Sequence, residues 1–538
     1  MRDRRIIHPV VPLLLSLALV AGLFIGHGSQ RSDTPLPALF TVRGAGPSDK
    51  VEQVLDLIDR QYVDTVAKAL LVEEVIQDLL QRLDPHSYYI SAEELRAAQE
   101  PLEGSFEGIG VEFAIQHDTV VVIAPVEGGP SAALGIRAGD RIVAADNRSL
   151  TGKEITNEQV MERLRGPGGS TVVVTIVRRG QEKPFQVTIR RGKIPITSVA
   201  VSLLRPGGTG YLKLVRFART THQEFVEAAR ALQKAGMQRL VLDLRGNGGG
   251  YLNAAIELAD EFLPEGRMIV YTQGRAHPRQ DYRATRNGLL ETVPLAVLID
   301  EGSASASEIL AGAVQDNDRG VIVGRRSFGK GLVQEHLDLP DHSAVRLTTA
   351  RYYTPSGRSI QRPYGEGIDY ADDLAERYDH GEMLHADSAR VDSDQVYRTQ
   401  GGRVVYGGGG ITPDLFVAAD TAGTTRFLNE LFFSGSLNQF AFDVVDRDRA
   451  RFEAFGDPLV FRDRFRMDEQ LWSDLLDHAA REGIADRPAE RVRSAQVIEQ
   501  RLKAGIARNV WGNDGFYRIL LDTDSIFLKA DERLRAGG

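Results

Sequence analysis

Hydrophobic and polar positions change their period several times along the chain, and each change marks a new element. An apolar run from Pro9 to Gly26 follows Arg2, Arg4 and Arg5. It is just long enough to span a bilayer, which takes about 17–25 residues. No small-x-small cleavage signal follows it, so the run reads as an uncleaved signal anchor. The arginines then lie inside and everything beyond Gly28 lies outside the cytoplasm. A cleaved signal peptide is the competing reading. Residues 27–47, rich in Ser, Pro, Thr and Gly, form a tether. Over 48–101 the apolar positions Val51, Val54, Leu55 and Ile58, then Leu71, Val75, Leu79 and Leu80, have helical spacing. Leu83-Asp84-Pro85-His86 ends that run, and Ser91-Ala92-Glu93-Glu94 is a capping box that opens another helix.

Between 102 and 192 the period shortens to β-rich runs such as Val120 to Ile123, Arg141 to Ala145, Thr171 to Val177 and Phe185 to Ile189, with a helix over Asn157 to Leu164. The arrangement resembles a PDZ domain. In such a domain the loop Gly108-Ile109-Gly110-Val111 offers free N–H groups to a peptide carboxylate while the peptide adds to the neighbouring strand edge. Ile109, Val111 and Phe113 are apolar, so tails with apolar last residues are the expected ligands. A small β domain whose glycines serve only turns is the plainer alternative.

From 193 to 420 strands and helices alternate, which predicts an α/β core. Within it, 361–406 is polar and acid-rich and reads as an insertion. From 421 to 538 helical apolar spacing returns over Phe427 to Phe433, Glu469 to Ala480, Ala489 to Leu502 and Gly515 to Leu521, and both tryptophans fall there. This predicts a helical C-terminal domain for dimerisation or partner binding.

Composition narrows the chemistry. The 538 residues suggest roughly three or four domains. A formal net charge of -9 argues against nucleic acid as a partner. The absence of cysteine excludes disulfides, thiolate metal sites, a cysteine nucleophile and cysteine lipidation. No cofactor or metal site is expected.

One stretch carries reactive chemistry. The apolar segment Val293 to Ile299 stops at Asp300-Glu301-Gly302, and Ser303-Ala304-Ser305-Ala306-Ser307-Glu308 follows. A strand, a sharp turn and a helix place a serine beside unpaired N–H groups at the helix start, where an oxyanion is stabilised. Serine needs a base, and no histidine lies in the cluster. Lys330, flanked by Gly329 and Gly331 and preceded by Phe328, becomes a base if desolvation lowers its pKa. Gln334, on the same face if the segment is helical, would orient the amine. The plainer alternative makes Ser303 a helix cap and Lys330 a surface charge. Arg245-Gly246-Asn247-Gly248-Gly249-Gly250, between a strand and a helix, departs from dinucleotide-binding spacing.

Ser-Ala-Ser-Ala-Ser-Glu-Ile, Phe328-Gly329-Lys330-Gly331-Leu332-Val333-Gln334, the segment Leu347 to Arg358 and Gly407 to Asp414 together resemble the C-terminal processing peptidases, or tail-specific proteases. The resemblance covers roughly residues 49 to 420. It implies Ser305 as nucleophile, Lys330 as base and Gln334 as support for the lysine. It also implies an oxyanion hole from Ala306 and the glycine run, Gly250 or Gly249, in a core related to the crotonase and Clp-protease spiral fold. Protein substrates with exposed C-terminal tails, attachment to the inner membrane and subunit pairing are implied as partners. Two further classes stay open at this point: a catalytically silent PDZ adaptor, and a Ser-His-Asp protease with His336 or His342 as base.

Overall fold

In a computed structural model, residues 47–537 are described, except 366 and 389–393. The expected anchor at 9–26 and nearly all of the tether lie outside the described residues, among which no helix is long and apolar enough to cross a membrane. Two compact units divide at Val75 and Ile76. The helix Pro47–Gln61 belongs to the first; the capping box at Ser91 forms as expected and opens the helix Ala92–Glu103 in the second.

The core of the second unit is a six-stranded sheet. Its strands are β1 (Val199–Arg205), β2 (Thr209–Leu214), β3 (Arg239–Asp243), β4 (Leu295–Ile299), β5 (Val321–Gly324) and, later in the chain, Leu415–Phe416, side by side in that order. Only the β1–β2 pair is antiparallel. Period-2 alternation sends Leu240, Leu242, Leu295, Val297 and Ile299 to one face, under α1 (Thr221–Lys234), α2 (Leu252–Asp260) and α3 (Ala306–Asp316). Tyr211, Val241, Ala296, Leu298 and Val323 go to the other. Strands apolar on both faces need a second cover.

That cover comes from the C-terminus. A helical run, α4 (Pro488–Leu520), breaks at Gly512, whose φ of 65° and ψ of -152° are non-helical. Beyond it, α5 (Ser525–Arg535) lays Ile526, Phe527, Ala530 and Leu534 on the second face of the sheet. The C-terminal region is helical, as expected, and serves two cores. Helices from Phe427 onward form a core of their own that reaches Ile519, with Trp472 and Trp511 packed against it, whereas α5 completes the α/β core.

A second sheet joins β6 (Leu332–Asp338) and β7 (Ala344–Tyr353) to Met268–Gln273, Gln280–Arg283 and Tyr88–Ile90. The segment 361–406 folds into a helix, Asp373–Asp379, and a hairpin, Val396–Arg398 with Val404–Tyr406. In the PDZ region the sheet runs Val111–Gln116, Thr119–Pro125, Arg141–Ala145, Thr171–Val177 and Phe185–Arg190, with the helix Asn157–Leu164 where the spacing put it. Val111–Gln116 is an edge strand with one neighbour. Ile109 is buried in the domain core and its carbonyl accepts from the Ser131 N–H and hydroxyl, so its side chain does not line a tail site; Val111 and Phe113 remain partly exposed.

Candidate active site

Two neighbouring parallel strands, β3 and β4, deliver the glycine loop and the serine turn from their carboxyl ends, where ligand sites of α/β sheets lie. Ser305 sits immediately before α3 with φ 55° and ψ -113°, a conformation that costs a non-glycine residue on the order of 1–3 kcal/mol. Surrounding contacts hold it there. Its N–H donates to Glu308 Oε2 at 2.8 Å, and its carbonyl accepts from Glu308 N–H at 2.8 Å. Ser303 donates to the Leu244 carbonyl and Ser307 to the Asn247 carbonyl, so the flanking serines tie the turn to the glycine loop.

The loop approaches this turn because it lacks side chains. A Cβ on Gly249 would lie 2.9 Å from both Ser305 Cβ and Ala306 N, and one on Gly250 would lie 2.1 Å from the Phe217 carbonyl oxygen. Gly249 N–H is engaged by Asn247 Oδ1 at 2.9 Å. Gly250 N–H and Ala306 N–H have no acceptor among the described residues, which favours Gly250 over Gly249 as a partner for Ala306.

Lys330 lines the same cleft, of about 800 Å³, as Ser305, Gly250 and Ala306. Its Nζ donates to Gln334 Oε1 at 2.9 Å, and Gln334 Nε2 donates in turn to the His86 carbonyl. Gln334 is on strand β6, not a helix; a register shift between Val333 and Gln334 re-aims the side chain toward the amine. Burial lowers the Lys330 pKa, and the charge of Arg346 lowers it further. No hydrogen bond joins Ser305 to Lys330 among the described residues. His336 reaches the cleft, but its recorded charged neighbour is Asp338, at 3.6 Å. His342 occupies a turn at φ 68° within the β6–β7 connection and is not among the residues that line the cleft.

Several supports escaped the sequence reading. Glu308 is fully buried, and besides Ser305 N–H it accepts from Ser327 Oγ (2.5 Å), Gly329 N–H (2.7 Å) and Lys330 N–H (2.9 Å). One carboxyl thus fixes the serine turn and the lysine loop together. Burial raises its pKa to about 7. Tyr352 donates to the carbonyls of Lys330 (2.6 Å) and Ser305 (3.2 Å) from the cleft floor. Asp84 closes the Asp84-Pro85-His86-Ser87 turn by accepting from the N–H groups of His86 and Ser87, which sets the His86 carbonyl before Gln334. The insertion backs the lysine loop. Phe328 packs under Arg362 and against Tyr370, and Arg377 donates to the carbonyls of Arg326 and Ser327.

Similarity to known proteins follows this division of the chain. Residues 208–370 match the model of peptidase family S41, residues 108–189 that of the PDZ domain, and residues 427–512 a family of unknown function, DUF8443. The chain is 38% identical over 313 residues to a carboxy-terminal-processing protease of Bartonella bacilliformis, covering 57% of this chain and 71% of that one. It is 33% identical over 351 residues to the carboxy-terminal processing protease CtpB of Bacillus subtilis, covering 64% and 72%. A carboxyl-terminal-processing protease of Picosynechococcus matches at 36% over 294 residues, 54% of this chain and 70% of the other. With a serine turn and a glycine loop side by side at the carboxyl ends of adjacent strands and a PDZ domain ahead of them, the chain belongs to the carboxy-terminal processing serine proteases of peptidase family S41.

Proposed function

We propose that this protease captures the C-terminal tail of a protein substrate at the edge of Val111–Gln116 and cuts the chain with Ser305, using Lys330 as its base. The observation that carries the reading is the pairing of a serine in a strained turn with a half-buried lysine of lowered pKa in one cleft. A neutral amine accepts the Ser305 proton as Oγ attacks the scissile carbonyl, then passes it to the leaving amine. The N–H groups of Gly250 and Ala306 receive the oxyanion, each such donor being worth about 2.7–4 kcal/mol in the transition state. Water then attacks the acyl-enzyme along the same path. Gln334 acts as an acceptor that keeps the amine pointed into the cleft. The tail enters as an added strand, its carboxylate against the N–H groups of Gly108 to Val111. The arginine-flanked apolar run at 9–26 supports reading this activity as extracytoplasmic and held on a membrane anchor.

Ser305→Ala is expected to abolish cleavage of a tailed substrate while leaving tail binding intact, with products read by mass spectrometry. Lys330→Arg is expected to be equally inactive, since guanidinium does not deprotonate. Cleavage by Lys330→Arg at the wild-type rate would refute the base assignment and direct attention to His336.

A further inference from the structure

The helices that match the family of unknown function grip the PDZ domain, and they do so through charge. Asp446, near the end of the helix Ser436–Arg447, has an 11% exposed side chain. Its Oδ2 accepts from Arg141 Nη2 at 2.8 Å and from Arg179 Nη1 at 3.1 Å, and its carbonyl accepts from Arg179 Nη1 at 2.7 Å. Arg141 opens the strand Arg141–Ala145, and Arg179 lies in the turn beyond Thr171–Val177. Three more contacts reach the edge strand or the residue just beyond it. Arg508 on α4 pairs with Glu112 at 3.2 Å, near the start of Val111–Gln116. Just past its end His117 meets Gln439 at 3.4 Å and Asp443 at 3.4 Å.

The apolar cores of the two domains are separate, so these recorded contacts across the boundary are polar. A polar interface between domains holds a position without fusing the domains. On its other side the helical domain is continuous with α5, whose cap Asp524 accepts from Arg245 at 3.0 and 2.7 Å at the root of the glycine loop. The helical domain therefore touches the strand that would take a tail, and the segment that follows it touches the loop that would take the oxyanion.

We propose that the C-terminal helical domain is a spacer gauge: by latching the PDZ domain through Asp446, it fixes the distance between the captured tail and Ser305, and so the position of the cut. This rests on tail capture at Val111–Gln116. With the latch closed, few residues of substrate lie in reach of Ser305; with it open, the edge strand shifts and neighbouring bonds come into reach. Asp446 touches neither the cleft nor the tail edge, so its removal leaves both chemistries in place.

The test compares the full chain with Asp446→Ala, Arg141→Ala and the double variant on a protein substrate carrying an apolar C-terminal tail, with all product termini mapped by mass spectrometry. The expected result is a rise of about tenfold in cuts away from the main site, from misplacement of the substrate, in Asp446→Ala, a smaller rise in Arg141→Ala, which keeps the Arg179 bond, and no more in the double than in Asp446→Ala. Hydrogen exchange at the Arg141–Ala145 amides should rise in each. Affinity for the tail peptide, measured by fluorescence anisotropy in a Ser305→Ala background, should stay within about twofold of wild type. An unchanged product pattern in Asp446→Ala overturns the gauge, as does a loss of tail affinity, which would make Asp446 part of tail capture. A wild-type protein that does not bind the tail peptide refutes the capture reading itself, a different result from failure of the gauge.

Discussion

Two fully buried carboxyls stand at the carboxyl ends of adjacent parallel strands, and they are held by opposite means. Asp243 ends β3 among cations: Lys213 Nζ at 3.2 Å, Arg245 Nη2 at 2.6 Å, and behind Arg245 the second acid, Asp524. Burial alone would raise its pKa, but the Arg245 and Lys213 charges outweigh burial and hold it below the usual carboxylate range. Glu308 follows β4 in a nest of neutral donors, three backbone N–H groups and a hydroxyl. There burial wins, and its pKa rises to about 7. Hydrogen bonds alone do not match full charges in offsetting the loss of water. The first region is a rigid foundation under the glycine loop; the second is a joint between Ser305 and Lys330 whose charge changes near neutral pH.

The largest effect that tests this contrast is on the foundation. Asp243→Ala leaves the buried Lys213 ammonium without its carboxylate and Arg245 with Asp524 alone, and is expected to cost about 3–5 kcal/mol in urea unfolding. Glu308→Gln comes next. It keeps the volume but replaces an acceptor with a donor facing N–H groups, and it should lower kcat about 100-fold, as an ångström of misalignment does, with tail affinity unchanged. The two acids also oppose each other in pH. The raised Glu308 carboxyl stabilises the fold fully below its ordinary value of 4.5, and that contribution is lost as pH rises through about 7. The lowered Asp243 contributes above its ordinary 3.8 and loses its contribution as pH falls toward its folded value. Stability curves of Glu308→Gln should flatten only between 4.5 and about 7, and those of Asp243→Asn only below 3.8; a shared window would erase the distinction. Asp524→Ala leaves Arg245 its bond to Asp243 and removes a helix cap, so about 1–2 kcal/mol is expected in thermal unfolding. Smallest is Tyr352→Phe, which takes one hydroxyl from the Lys330 carbonyl and should cost about 1 kcal/mol, read as a roughly fivefold fall in kcat.

What was legible in the sequence was local. Ser305, its turn and the glycine flanks of Lys330 follow from the order of a few residues, and Gly329 and Gly331 do admit close backbone, that of Gly410 and Gln361. Glu308 was in view within the serine motif, but three of its donors lie 19 to 22 residues away, and no period reports such pairing. Gln334 was placed with its lysine for a helical reason that proved to be a bulged strand. The insertion gave only its polarity, since Arg362 and Arg377 look solvated until the loop they brace is known. The helix over 525–535 was missed because an apolar stripe says that a face is covered, not by which part of the chain.

That last helix has a temporal meaning. α5 emerges from the ribosome after every other element described here, yet it roofs the sheet from which the glycine loop springs and sends Asp524 to its root. Until it arrives, the part of that face covered by Ile526, Phe527, Ala530 and Leu534 stays open and Arg245 lacks its second carboxylate, so the footing of the glycine loop is finished last.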